Sequence, residues 1–121
     1  MVAYDGGMAS ADALQSFASS GLGSGATVSV VSISDKRETA TRRAEEAARF
    51  LAFHDVAAQP RPITTGHEAD ALCAAVADVN ARMVVMGAFS HGQAREWFRR
   101  STTLRLLQSE ERVFYCCHHA E

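Results

Sequence analysis

The sequence has no long apolar run and no excess of charge of one sign. No stretch approaches the ~20 apolar residues of a membrane-spanning helix, and the first residues lack the basic and apolar segments of a secretory signal. Twelve basic and fourteen acidic side chains give a net charge of −2, whereas sequence-independent nucleic-acid binding needs a basic excess. We therefore expect neither nucleic acid nor a membrane as a partner.

Cysteine and aromatic residues are also scarce. The three cysteines, Cys73, Cys116 and Cys117, are odd in number, and two of them are adjacent, which disulfides do not normally tolerate. We therefore expect reduced thiols and a cytoplasmic protein. Aromatic residues make up 7% of the chain and apolar residues 47%. This balance favours one globular domain over residues 1–121, with a core of small aliphatic side chains.

What the sequence does contain is a regular alternation of strand and helix patterns. Strands are predicted at residues 2–4, 28–33, 61–64, 83–86 and 113–117, and helices at about 9–19, 38–54, 69–76 and from 101 onward. Pro60 and Pro62 cannot donate to a ladder, so the third strand is expected at an edge. The alternation predicts an α/β fold: one five-stranded, mostly parallel sheet with helices on both faces.

Two connections that follow strands contain glycine: residues 5–7 after the first strand and residues 87–92 after the fourth. Glycine lets a ligand approach the backbone closely. Ser101 suits the N-cap of the last helix, whose free N–H groups bind anions. Together these segments would cradle a phosphate between strands one and four, and Asp5 suits a ribose hydroxyl, an exocyclic amine or a metal ion. The same residues also fit ordinary turns and an ordinary cap.

These segments resemble the universal stress protein family, a branch of the adenine-nucleotide-binding α/β superfamily. The resemblance rests on residues 2–6, 84–89 and 101–103, and it extends over the whole chain in element order. The segment 87–91 and the short connection after strand two are most similar to the second domain of tandem universal stress proteins. The resemblance implies a Rossmann-like fold and a site for ATP or AMP, with Mg²⁺ only alongside the nucleotide.

The nucleotide motif of that family, G-x2-G-x9-G-[ST], is only partly present. Its four fixed positions are occupied by Gly87, Ser90, Arg100 and Ser101, so serine and arginine replace two glycines. The Cβ of Ser90 narrows the approach to a phosphate. Arg100 either fills the phosphate pocket or clamps a phosphate bidentately. We therefore expect a degenerate nucleotide site.

If a nucleotide binds, the resemblance also implies a role for each matched position. Asp5 lies beside the adenosine, Ile33 packs on the adenine, and Gly87 lets the ribose approach. The residues expected to contact or neutralise the phosphates are Ser90, His91, Arg100, Ser101 and Thr102. The run from Cys116 to His119 lacks the spacing of paired zinc ligands, so no metal site is expected.

Catalytic motifs are missing: the chain has no G-x-S-x-G elbow, no C-x-x-C pair and no P-loop. We therefore expect a non-enzymatic stress-response regulatory domain. Two alternatives are a dimerisation module that binds no nucleotide and a slow nucleotide hydrolase in which Asp5 holds Mg²⁺. The resemblance further implies a homodimer through residues 113–117, or pairing of that strand with a second universal stress domain.

Overall fold

The computed structural model describes residues 1–88 and the strand at residues 113–118. In these parts of the chain, strands and helices alternate as the sequence predicts. The strands are β1 (Val2–Ala3), β2 (Thr27–Ser34), β3 (Ala57–Thr64), β4 (Met83–Ala88) and β5 (Val113–His118). The helices are α1 (Met8–Ser20), α2 (Arg37–Phe53) and α3 (Glu68–Asp78).

The five strands form one sheet in the order β3-β2-β1-β4-β5. Each neighbouring pair is parallel, which confirms the predicted fold class. The chain first moves from β1 through β2 to β3, and then crosses back to place β4 on the other side of β1. The strand order therefore reverses between β1 and β4, which is where open sheets of this kind form a crevice for ligands.

Helices cover both faces of the sheet. Helices α1 and α2 pack on one face, and α3 packs on the other. Because side chains alternate along a strand, Val30 of β2 contacts the α1 and α2 layer, whereas Val31 contacts the α3 layer. Both valines are completely buried. Burial on two faces explains why β2 consists largely of β-branched residues.

Strand β3 lies at the sheet edge, as predicted, but it is longer than the sequence suggested. It begins at Ala57 instead of Arg61, so Pro60 and Pro62 lie inside the strand. The two prolines are two residues apart, and their missing N–H groups therefore point to the same side. β3 pairs with β2 along its whole length, so the N–H groups that bond to β2 belong to other residues. The positions of the two missing N–H groups face away from β2, at the open edge of the sheet. An edge strand tolerates proline there, and the prolines therefore did not mark the strand boundary.

The predicted segment from residue 89 to residue 100, and the predicted last helix beginning at Ser101, lie outside the described residues. Within the described part of the chain, no helix is both long and apolar enough to cross a membrane. Cys73 is half-buried on α3 and is a free cysteine among the residues that the structure describes.

Candidate functional site

The loop between β1 and α1 is organised by the carboxylate of Asp5. The Oδ1 atom of Asp5 accepts hydrogen bonds from the backbone N–H of Gly7 at 2.7 Å and from the hydroxyl of Ser10 at 2.6 Å. The first bond closes a turn in which the side chain replaces a backbone acceptor. Gly6, in the middle of that turn, has φ +81°, a conformation that glycine adopts without strain. The sequence Asp5-Gly6-Gly7 therefore fixes the carboxylate at the carboxyl end of β1.

The second oxygen of this carboxylate has no hydrogen-bond partner in the part of the chain that the structure describes. Asp5 is 7% exposed, and its Oδ2 atom is buried without a donor among the residues that the structure describes. A buried carboxylate oxygen without a partner is costly, and functional sites are a common place for one. Oδ2 can accept a hydrogen bond from a ligand hydroxyl or amine, or coordinate a cation. These are the three partners that the sequence suggested for Asp5.

Strand β2 holds the end of β1 in place through a buried hydroxyl. Ser32 is 0% exposed, and its Oγ donates a 2.7 Å hydrogen bond to the carbonyl oxygen of Tyr4. The backbone N–H of Tyr4 in turn donates to the carbonyl oxygen of Val31 at 2.9 Å. The residue before Asp5 is thus tied to β2 on both its N–H and its C=O. Sequence analysis missed Ser32, although a serine inside a β-branched strand is the signal that could have identified it.

Gly87, at the end of β4, lies against the start of α1. A Cβ on Gly87 would come within 2.5 Å of the backbone carbon of Ala9 and the backbone nitrogen of Ser10. Glycine is therefore required here for α1 to pack on β4, whether or not a ligand binds. The role of Gly87 in letting the ribose approach stays a prediction. The packing also positions Ser10, and through Ser10 it positions Asp5.

The remaining predicted site residues are not gathered around Asp5 in the described structure. Ile33 is 2% exposed and packs with Leu72 in the core between the sheet and α3. Its predicted contact with adenine stays a prediction. The five predicted phosphate-contacting residues lie outside the described residues: Ser90, His91, Arg100, Ser101 and Thr102.

A cluster that sequence analysis missed lies beside Asp5, between β1 and α2. It consists of Tyr4, Arg43 and Glu46. Burial, followed by the Glu46 and Asp5 carboxylates, raises the pKa of Tyr4, and Arg43 opposes this shift. Arg43 lies on α2, and its half-buried position was not predicted from the sequence. Its spacing from the buried Ala40 and Ala47, three residues before and four after it, could have placed it at the border of the buried face.

A cavity of about 280 Å³ lies near the amino ends of the strands, at the end of the sheet opposite Asp5. Phe17, Leu22 and Met83 are among the side chains that line it. None of its lining residues is a carboxylate, a histidine or a cysteine. It therefore lacks the usual side-chain ligands of a metal ion, and the carboxyl ends of β1 and β4 remain the candidate site.

Comparisons with known proteins agree with this fold. The sequence model of the Universal stress protein family matches residues 1–110. A solved structure of a hypothetical protein, used as a structural-genomics test case for assigning biochemical function, is 15% identical with a TM-score of 0.74. The match covers 99% of this chain and 96% of that one. A search of curated protein sequences found no match.

A second solved structure is a protein from the universal stress protein family of Burkholderia pseudomallei. It is 17% identical to this chain with a TM-score of 0.67, and the match covers 95% of this chain and 92% of that protein. At these identities the two structural matches establish the fold alone. They show that this chain shares its fold with two solved structures, with matches that cover 99% and 95% of it.

Proposed function

Because the chain belongs to the universal stress protein family, whose model covers residues 1–110, we propose that it is a stress-response regulatory domain that binds an adenine nucleotide. The site lies at the carboxyl ends of β1 and β4. The observation that carries the proposal is the Asp5 carboxylate, which is held by Gly7 and Ser10 and whose second oxygen is buried without a hydrogen-bond partner among the described residues.

Asp5 has the chemistry needed for the nucleoside part of such a ligand. Its Oδ1 atom is already engaged by two donors of the protein, so the carboxylate is oriented before any ligand binds. The free Oδ2 atom accepts a hydrogen bond from a ribose hydroxyl or from the exocyclic amine of adenine. Such a charge-assisted hydrogen bond in a buried position is strong and directional. The position at the reversal of strand order supports the same proposal.

The phosphate part of the proposal rests on the partial nucleotide motif. Gly87 lies near the end of β4 beside this site, and the remaining motif positions, Ser90, Arg100 and Ser101, follow it in the sequence. Substitution of Arg100 by glycine separates its two possible roles. Arg100→Gly should strengthen nucleotide binding if the arginine fills the phosphate pocket. It should weaken binding if the guanidinium clamps the phosphate.

Calorimetric titration of the purified protein with ATP and with AMP, each with and without Mg²⁺, tests the proposal. Micromolar binding is the expected result. If a folded protein gives no heat at millimolar nucleotide, the nucleotide proposal is wrong, and a dimerisation module without a ligand takes its place.

Two matched variants connect the binding to Asp5. Asp5→Asn keeps the size of the side chain but replaces one acceptor oxygen by a donor. We expect it to weaken nucleotide binding roughly 10- to 100-fold, the range for a lost hydrogen bond to a charged group. Asp55→Asn is the control, because Asp55 is an exposed carboxylate after α2, and asparagine tolerates its positive φ of 62°. Equal affinities for the two variants would contradict a role for Asp5.

The proposed domain regulates without catalysing a reaction. The expected result of prolonged incubation with ATP and Mg²⁺ is therefore no release of phosphate above the uncatalysed rate. Phosphate release by the native protein that disappears in Asp5→Ala would replace this proposal with a slow nucleotide hydrolase. Release that persists in Asp5→Ala would contradict the hydrolase mechanism in which Asp5 holds Mg²⁺.

We also propose that the chain forms a homodimer through β5. In the described sheet, β3 and β5 are the two edge strands. The open edge of β3 lacks the N–H groups of Pro60 and Pro62, which blunts it against strand pairing. Strand β5 (Val113–His118) contains no proline and is almost entirely apolar in sequence. Its edge therefore retains the backbone donors and acceptors that a partner strand needs.

A further inference from the structure

Arg43, on the second turn of α2, reaches the loop that follows β1. A Cβ on Gly6 would lie 3.0 Å from the Nε atom of Arg43 and 3.5 Å from both its Cδ and Cζ atoms. The guanidinium end of Arg43 therefore lies directly against the backbone of Gly6. Gly6 is the residue next to Asp5, so Arg43 is adjacent to the site on the side of α2.

The guanidinium has no partner of its own among the residues that the structure describes. Glu46 lies one turn further along α2, a spacing at which ion pairs form, but within the described residues no ion pair joins the two side chains. A guanidinium carries five N–H donors and a planar face. Arg43 is half-buried, and among the described residues no hydrogen bond or ion pair engages its guanidinium.

The charges around Gly6 indicate which part of a nucleotide lies there. Asp5 and the cluster beside it together contain two carboxylates and one guanidinium, all of which act on the phenol of Tyr4, so this group of side chains is acidic. A phosphate chain would be repelled by this cluster. It would also bring no donor to the Oδ2 atom of Asp5, because phosphates carry few protons at neutral pH. The base and ribose are uncharged and rich in donors, and they suit the cluster.

We propose that Arg43 contacts the nucleoside half of the bound nucleotide and stacks its planar guanidinium on the base beside Asp5. This inference rests on the proposed adenine-nucleotide function and adds a residue to that site from α2. Stacking of a guanidinium on an aromatic ring combines cation–π attraction with contact between two planes. A lysine keeps the charge but has no planar face, so it cannot replace the arginine in this role.

Titration of adenosine, AMP and ATP into four forms of the protein tests the inference. The forms are the native chain, Arg43→Gln, Arg43→Lys and the control Arg42→Gln, which removes the neighbouring, exposed arginine of the same helix. We expect both Arg43 variants to bind all three ligands about tenfold more weakly, by the same factor for each, as for a desolvated stacking contact. Arg42→Gln should bind like the native chain. If the Arg43 variants unfold at the same temperature as the native chain, their weaker binding is due to the lost contact with the ligand and not to a loss of folded structure.

Several results would overturn the inference. A loss confined to AMP and ATP and restored by lysine would make Arg43 a phosphate-binding residue instead. Native affinity in both Arg43 variants would show that the side chain only covers the loop. If the native chain binds none of the three ligands, the proposed function fails and this inference fails with it. If the native chain and both Arg43 variants bind all three ligands equally well, the inference fails but the proposed function stands.

Discussion

Gly87, near the end of β4, packs directly against the backbone of α1 and leaves no room for a side chain. We predict that Gly87→Ala destabilises the protein by about 1–3 kcal/mol, the usual effect of forcing an extra methyl group into a packed contact. The reason is that its Cβ would lie 2.5 Å from two backbone atoms of α1, and backbone cannot move aside as a flexible side chain can. Denaturant unfolding measures the change.

Gly66→Ala is the matched control for this substitution. Gly66 has open space where a Cβ would be, so alanine there should leave the free energy of unfolding within about 1 kcal/mol of the native value. If the two alanine variants are equally stable, β4 does not pack on α1 as closely as the structure has it.

Tyr4 makes the stability of the protein sensitive to alkaline pH. Burial, and then the Glu46 and Asp5 carboxylates, raise the pKa of Tyr4 above its ordinary value of 10.0. The folded state therefore holds the phenolic proton more tightly than the unfolded chain does. This contribution to stability is fully present below about pH 10 and is lost as the pH rises through the folded pKa.

We predict that Tyr4→Phe loses less stability than the native chain between about pH 8 and pH 11, because phenylalanine has no proton to release. Urea unfolding of both proteins across this range measures the difference. Parallel pH profiles for the two proteins would show that Tyr4 has the same pKa in the folded and unfolded states.

At the scale of elements, α2 approaches the sheet closely because its buried face consists mainly of alanine. Ala40 and Ala44 are completely buried, as is Leu51 near the end of the helix. We predict that Ala44→Leu destabilises the protein by about 1–3 kcal/mol, because the larger side chain must displace the helix or its neighbours. Ala52→Leu, on the exposed face of the same helix, should have little effect. Similar unfolding free energies for both variants would contradict close packing of α2.

The accuracy of the sequence-based prediction also differs between elements. Helices α1 and α2 were predicted to within about one residue at each end, because an apolar stripe with helical period persists over their whole length. The start of β3 was placed four residues too late, because proline is normally a strand breaker and only the position of a strand in the sheet decides whether it is tolerated. The position at an edge was predicted, but its consequence for the length of the strand was not.

The candidate site shows a similar difference. A residue that belongs to a local sequence pattern was predicted, whereas contacts between distant elements were not. Asp5 was predicted from its place between a strand and two glycines, which is a local pattern. The contacts made by Ser10, Ser32 and Arg43 were not predicted. Ser32 bonds to Tyr4 and Arg43 lies against Gly6, and both contacts form only after the sheet has assembled. The role of Ser10 depends on the packing of α1 against Gly87. Sequence patterns identify residues that begin or end an element, but not the neighbours that folding brings to them.

At the scale of the whole molecule, the two edges of the sheet differ in their capacity to pair with another chain. The β3 edge carries two prolines, and most of its residues are exposed. The β5 edge has an apolar sequence, with aromatic residues at positions 114 and 115. Natural proteins protect edge strands with proline and charge, or cover them with a partner. The β3 edge is protected by proline, so we propose that the β5 edge is covered by a partner strand.

Sedimentation of the native chain and two variants tests this assignment. We predict that the native chain is a dimer and that replacement of both Phe114 and Tyr115 by glutamate gives a monomer or an insoluble protein, because charge on a covered apolar strand opposes pairing. Thr64→Glu places a charge on the exposed β3 edge and should leave the dimer unchanged. A native monomer would contradict pairing through β5 between copies of this chain and leave pairing with a second domain of the family as the alternative. A soluble dimer that survives the β5 substitutions but dissociates in Thr64→Glu would place the interface on β3, and the two prolines of β3 would then be no barrier to association.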